Sequence, residues 1–165
     1  MGMVKGSRTK SWFSKLIVLC TLFILLTALP AAATEISMYI GQDEMWIDRY
    51  QSVQLDAAPY IKNGRTMVPL SAIAQAFGAR VSAYNDESGL QARIEFRNVD
   101  LFLLVGDQGA HFVNEYGNDT AVHMDVAPEI RNSRMMVPLS FIASGFGANV
   151  YWDQYLQNID IQLAD

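Results

Sequence analysis

Apolar and polar positions fall into three patterns along the chain. An almost unbroken apolar run extends from Leu16 to Leu29. From Ile36 onward the pattern shortens to alternating or apolar-rich stretches of three to seven residues: Ile36–Ile40, Met45–Ile47, Val53–Leu55, Ala92–Phe96, Val99–Val105, Ala110–Val113, Val122–Met124 and Ile159–Leu163. Such runs, bounded by turn residues, predict β-strands. Asn85–Gly89 and Tyr116–Asp119 are rich in turn formers and predict loops. The third pattern occurs twice. Leu70, Ile73, Ala74 and Phe77 recur at i, i+3, i+4 and i+7, as do Leu139, Ile142, Ala143 and Phe146. Each set predicts a short helix with one apolar face.

The two helical faces belong to a duplication. Residues 59–83 read PYIKNGRTMVPLSAIAQAFGARVSA and residues 128–152 read PEIRNSRMMVPLSFIASGFGANVYW. At an offset of 69, 15 of these 25 positions are identical. Val53, Asp56 and Ala58 extend the match upstream, facing Val122, Asp125 and Ala127. In each copy a tight turn (Asn63-Gly64, less well Asn132-Ser133) leads into a short buried strand at Arg65–Val68 or Arg134–Val137. Pro69 and Pro138 are expected at the first helical position, and Gly78 and Gly147 just past the helix end. A helix of about nine residues cannot bury itself alone. The two halves, about 36–98 and 99–165, are therefore expected to share one core. The fold class read here is α+β: strand-rich antiparallel sheets packed on two short helices, with pseudo-twofold symmetry.

Charge divides the chain. Its 165 residues are 51% hydrophobic and 18% charged, as in a globular protein. Residues 1–33 hold Lys5, Arg8, Lys10 and Lys15 and no acid; residues 34–165 hold 8 basic and 17 acidic side chains, a formal charge of −9. A surface of that sign repels polyanions, which argues against nucleic acid as a partner and against docking on an anionic bilayer. Basic stretch, apolar run, Pro30 and Ala31-Ala32-Ala33 follow the order of an export signal, with cleavage expected after Ala33. The apolar run is too short to span a bilayer comfortably, so no stable membrane insertion is expected after cleavage. Cys20, the only cysteine, lies inside that run after Leu19, which does not suit lipidation, and the mature chain would carry no thiol.

The double motif NGRTMVPLSAIAQAFGARV and NSRMMVPLSFIASGFGANVYWD resembles the copper amine oxidase N-terminal-like, or stalk, domain. Leu101–Gly106 and Ala127-Pro128-x-Ile130 are similar to the family's connecting elements, and the resemblance covers about residues 36–163. It implies an extracellular, non-catalytic module, remote from copper and quinone in the amine oxidases themselves. The family usually carries Arg after Pro-Leu and Glu four residues on; here Ser71 with Gln75, and Ser140 with Ser144, stand in those places. An exposed pair of that kind is worth about 0.3–0.5 kcal/mol, so the fold should survive its loss.

Residues able to do chemistry are sparse. His111 and His123 are the only histidines, fewer than the three N or S ligands of a tight transition-metal site. Asn85, Asp86, Glu87 and Ser88 lack the spacing of a calcium loop and read as a solvated turn. Asp43-Glu44 and Asp86-Glu87 are adjacent pairs, which a strand would point to opposite faces. Ser71 and Ser140 have no histidine nearby and are expected to bond locally to helix backbone. No catalytic, cofactor or metal residues are assigned. Arg65 and Arg134 are expected to tie the turn to a helix end or a neighbouring strand. The aromatic groups Tyr39, Trp46 and Tyr50, and Tyr151, Trp152 and Tyr155, are expected to send alternate rings into the core, Trp152 above all, with stacking on sugars or anchoring of a protein partner as the other reading. The chain reads as an exported binding or structural module of the cell envelope, secreted or at the cell surface, contacting an envelope protein or a wall polymer. The alternative is a small secreted hydrolase or metal-dependent enzyme.

Overall fold

The computed structural model describes residues 33–163, so the expected export segment and Cys20 lie outside the described residues. Strands β1 (Thr34–Tyr39), β2 (Glu44–Ile47), β3 (Gln51–Gln54), β4 (Tyr60–Lys62) and β5 (Arg65–Pro69) lead into helix α1 (Leu70–Ala76). Then come β6 (Arg80–Asp86), β7 (Gly89–Phe96), β8 (Val99–Leu104), β9 (Gly109–Asn114), β10 (Asp119–His123), β11 (Glu129–Arg131) and β12 (Arg134–Pro138). Helix α2 (Leu139–Phe146) precedes β13 (Ala148–Asp153) and β14 (Asn158–Leu163). Every strand pairing among the described residues is antiparallel.

Three sheets result. The first has the order β13-β14-β1-β2-β3, the second β10-β9-β8-β7-β6, and a four-stranded sheet runs β11-β12-β5-β4. Each five-stranded sheet takes three strands from one copy of the repeat and two from the other. In the small sheet the copies meet directly: Val68 pairs with Val137, its counterpart 69 positions on, flanked by Met67↔Pro138 and Pro69↔Met136. Contacts outside the sheets also recur in pairs. The Gly41 amide donates to the Pro59 carbonyl and the Gly106 amide to that of Pro128, both at 2.8 Å. Leu55 N–H reaches Asp43 O and Met124 N–H reaches Gln108 O, both at 2.7 Å.

Period-two alternation puts the two sides of the small sheet to different uses. Val68 and Val137 join the main core with Ile73 and Ile142 of the helices and the inner faces of both large sheets, including Met38, Ile161, Ile94 and Leu103. Met67 and Met136 face the other way, into a satellite cluster with Ala57 and Val126. No polar or charged residue is buried among the described residues. Leu101 and Leu103 of β8 are buried, while Phe102 and Leu104 on its other side are only half-covered, so β8 faces the core on one side.

The local expectations meet the structure with small corrections. Asn63-Gly64 turns with φ of 50° and 75°. Asn132-Ser133 adopts the same left-handed pair at 49° and 60°, a conformation that costs an L-serine more than a glycine. Pro69 and Pro138 stand one position earlier than expected. They close β5 and β12 with extended ψ of 114° and 122°, as helix N-caps. The Ser71 and Ser140 hydroxyls make no capping bond. The helices run seven and eight residues. Where copy one has Ala76, copy two has Gly145, because a Cβ there would stand 2.9 Å from the Phe112 ring.

The helix ends meet through Phe77 and Phe146, edge to face at 5.8 Å between centroids, and Phe96 stacks on Phe146 at 4.5 Å. Both rings are buried. Phe146→Ala removes two ring contacts at once and is expected to cost about 3–5 kcal/mol in denaturant unfolding. A near-neutral result would mean that the ring does not anchor α2.

Candidate functional site

Arg65 and Arg134 do not tie the turn to a helix end or an adjacent strand. Each reaches across to the other copy: Arg65 Nε donates to Asp125 Oδ2 and Arg134 Nε to Asp56 Oδ2, both at 2.6 Å. The aspartates sit in the loops before β11 and β4, which the register of β5 against β12 brings alongside the arginines. Sequence reasoning noted Asp56 and Asp125 as repeat matches without joining them to arginines 78 and 60 positions away. A second bridge covers the satellite cluster. Tyr60 OH and Lys62 Nζ both donate to the Glu129 carboxylate, and the Arg131 guanidinium lies 4.2 Å from the Tyr60 ring centroid. The Lys62 and Tyr60 hydrogen bonds hold the Glu129 carboxyl below the usual range. Burial, and then donation to Glu129, push the Tyr60 phenol up to about 12. These residues fasten copy to copy.

The residues proposed for chemistry are kept apart. His111 Nδ1 lies 3.0 Å from Asp119 Oδ1 across β9 and β10. His123 lines a groove of about 450 Å³ with Phe112 and Phe141 beside α2. Asp86 accepts from Ser88 N–H and Gln91 Nε2, so its oxygens serve the turn. Among the described residues no group of three His, Cys, Asp or Glu side chains could hold a metal ion. Ser71 and Gln75 line a groove of about 540 Å³ beside α1, rimmed by the Asp56–Arg134 pair. Ser144 lines the matching groove beside α2.

What the fold does bring together is aromatic. The pairings Tyr151↔Asp160, Asp160↔Ser37, Ser37↔Trp46 and Trp46↔Ser52 form one row across the outer face of the first sheet. Tyr151 and Trp46 are 54% and 38% exposed, and stand three strand spacings apart, about 14 Å. Between them Ser37 Oγ donates to Asn158 Oδ1 at 3.2 Å, and Asn158 Nδ2 to Asp160 Oδ2 at 2.8 Å. Tyr39, two residues along β1 from Ser37, flanks the row. Thus rings from both sequence clusters share one polar face. Trp152 points to the opposite side of β13, yet stays 44% exposed and lines a cleft with Ile61, Leu139 and Val150, so core packing does not account for it. Tyr50 and Tyr155 are almost fully exposed.

The equivalent face of the second sheet is closed by ion pairs. Arg93 bonds Asp100 at 2.7 Å and Glu95 at 3.4 Å while lying over Phe102, and His111 meets Asp119. The Asp100 hydrogen bond raises the Arg93 guanidinium further above its ordinary value.

The profile of the copper amine oxidase N-terminal domain matches residues 27–92 and again residues 91–161. The chain belongs to that family. The family is a non-catalytic, stalk-like domain, often extracellular or periplasmic, and here two successive copies of it build the described residues. No curated protein and no solved structure matches the chain. No helix among the described residues is long and apolar enough to cross a membrane.

The Tyr60–Glu129–Lys62 bridge yields a pH signature. Because the folded phenol is raised, its contribution to stability is full below about pH 10 and is lost as pH rises through about 12. The depressed Glu129 carboxyl contributes above its usual range and is lost as pH falls through its folded value. In an absorbance titration of phenolate, Tyr60→Phe should abolish the step near pH 12 and leave the rest of the curve unchanged. Loss of one tyrosine titrating near 10 instead would show that the bridge does not form.

Proposed function

We propose that the protein is an exported, non-catalytic module of the cell envelope that binds a wall glycan along the outer face of its first sheet. The observation that carries this reading is the row Tyr151–Asp160–Ser37–Trp46. Two exposed rings offer apolar faces to the C–H faces of sugars. The Ser, Asn and Asp between them offer donors and acceptors to hydroxyls. A spacing of about 14 Å suits a ligand that is extended rather than globular. Family membership supports a role without catalysis, and the formal charge of −9 over residues 34–165 fits a ligand that is not a polyanion. The export reading rests on the order of residues 1–33. Within this reading residues 34–165 act as one domain, its two copies related by a local twofold passing between Val68 and Val137.

Cosedimentation with purified, insoluble peptidoglycan tests the proposal. Wild-type protein should pellet with the glycan, and Trp46→Ala should weaken binding about tenfold, the scale of one lost ring contact. Tyr84→Ala, on the second sheet, should bind as wild type. Protein that stays in the supernatant, or equal binding by Trp46→Ala, would refute the glycan reading.

A further inference from the structure

Among the described residues six strands lie at sheet edges, and five are blunted. The outer strands of the small sheet have three residues each and carry Lys62, Glu129 and Arg131. Strand β3 has four residues, mostly polar. Strand β10 is tied by the Asp119–His111 pair, and β6 carries Arg80 and Asp86 at its ends with the Tyr84 hydroxyl bonded to Gln91. These are the usual devices that stop one sheet from adding to another. Strand β13 is six residues long and carries one charge, Asp153 at its last position, where the carboxylate accepts from the Tyr155 and Leu156 amides of the following turn. The strand reads Ala-Asn-Val-Tyr-Trp-Asp, pairs along its whole length with β14 and with no other strand, and is exposed from Asn149 to Asp153. The same stretch of the first copy holds Ala83 and Tyr84 where this one holds Trp152 and Asp153.

We infer that β13 is a homodimerisation edge, pairing antiparallel with β13 of a second copy about a twofold through Tyr151. The sequence of the strand selects both occupant and register. With Tyr151 opposite itself, Val150 faces the second copy's Trp152, and Asn149 faces its Asp153. Apolar side chains then meet apolar ones, and the single carboxylate of each strand meets an amide instead of its own twin. The two five-stranded sheets become one of ten strands. Trp46, Tyr151 and their counterparts fall in one line of about 34 Å, seven strand spacings. Two six-residue edges bury much less than a standard interface, so the dimer is weak and concentration-dependent. The two copies, each at −9 over residues 34–165, repel at long range, and salt should strengthen the association.

The edge strand supports the dimer independently of glycan binding, since Asn149 lies outside the ring row. The chain is expressed in full, purified in the form the cell leaves it, and followed by sedimentation velocity over a concentration series in 50 mM and 500 mM NaCl. The expected result is a monomer–dimer equilibrium that tightens with salt. Asn149→Lys sets an ammonium against Asp153 twice per dimer and should tighten it about fivefold; Asn149→Asp should weaken it by a similar factor. Tyr151→Lys should abolish it, whereas Tyr84→Lys should not. Asn149 is exposed, and both of its variants are checked for wild-type melting. A monomer at every concentration, Asn149 variants that shift association in the same direction, or equal effects of Tyr84→Lys and Tyr151→Lys would overturn the inference. If dimerisation holds while Trp46→Ala leaves peptidoglycan binding unchanged, the glycan reading alone fails.

Discussion

The rest of the molecule depends on the antiparallel pairing of β5 with β12 at Val68 and Val137. That contact fixes where each copy ends and the other begins. On one side it delivers two valines to the main core, and on the other two methionines to the satellite cluster. Its register sets Arg65 against Asp125 and Arg134 against Asp56. The ion pairs are exposed, so each contributes little free energy. Their value lies in position: a guanidinium held by the loop that leads into the opposite copy's first short strand fixes the approach of that loop. Prolines at the ends of both strands then turn the chain into the helices without a conventional side-chain cap.

Because the copies are joined at that seam, their strands are dealt to different sheets. The first three strands of copy one continue into the last two of copy two, and the reverse holds for the second sheet. This exchange builds the main core, with no buried polar or charged residue among the described residues, from the inner faces of both sheets and both helices. It also gives the two outer faces different characters from similar sequences. One is crossed by Arg93, Asp100, His111 and Asp119 in ion pairs. The other keeps Trp46, Tyr151 and Tyr39 among short polar side chains. A duplicated domain thus has one outer face crossed by the Arg93–Asp100 and His111–Asp119 pairs and one that presents Trp46 and Tyr151 beside the Arg49–Glu35 pair.

Much of this was legible in the sequence. The i, i+3, i+4, i+7 faces located both helices, and the turn pair Asn63-Gly64 located the hairpin. Local chemistry decides such features. The exchange of strands was not legible, because alternation shows which side of a strand is buried and not which strand lies beside it. For the same reason Tyr39, Trp46 and Tyr151 read as two separate clusters, although β1, β2 and β13 belong to one sheet. The arginine–aspartate pairs were hidden by separation along the chain, though four repeat-matched charged positions were a signal that could have found them. Pro69 and Pro138 read as helical because proline suits both a first turn and the end of a strand. Only the pairing of β5 with β12 decides between the two.

The central claim is that neither copy completes its sheets or its core alone. Fragments 34–98 and 99–165 separate β1 from β14, β7 from β8 and β5 from β12, leaving about 65 residues each with no disulfide to support a partial core. Circular dichroism of each fragment under thermal denaturation tests this most directly. The account predicts two largely unfolded chains that regain strand signal and one cooperative transition when mixed. Two fragments that each melt sharply on their own, unchanged by mixing, would contradict it.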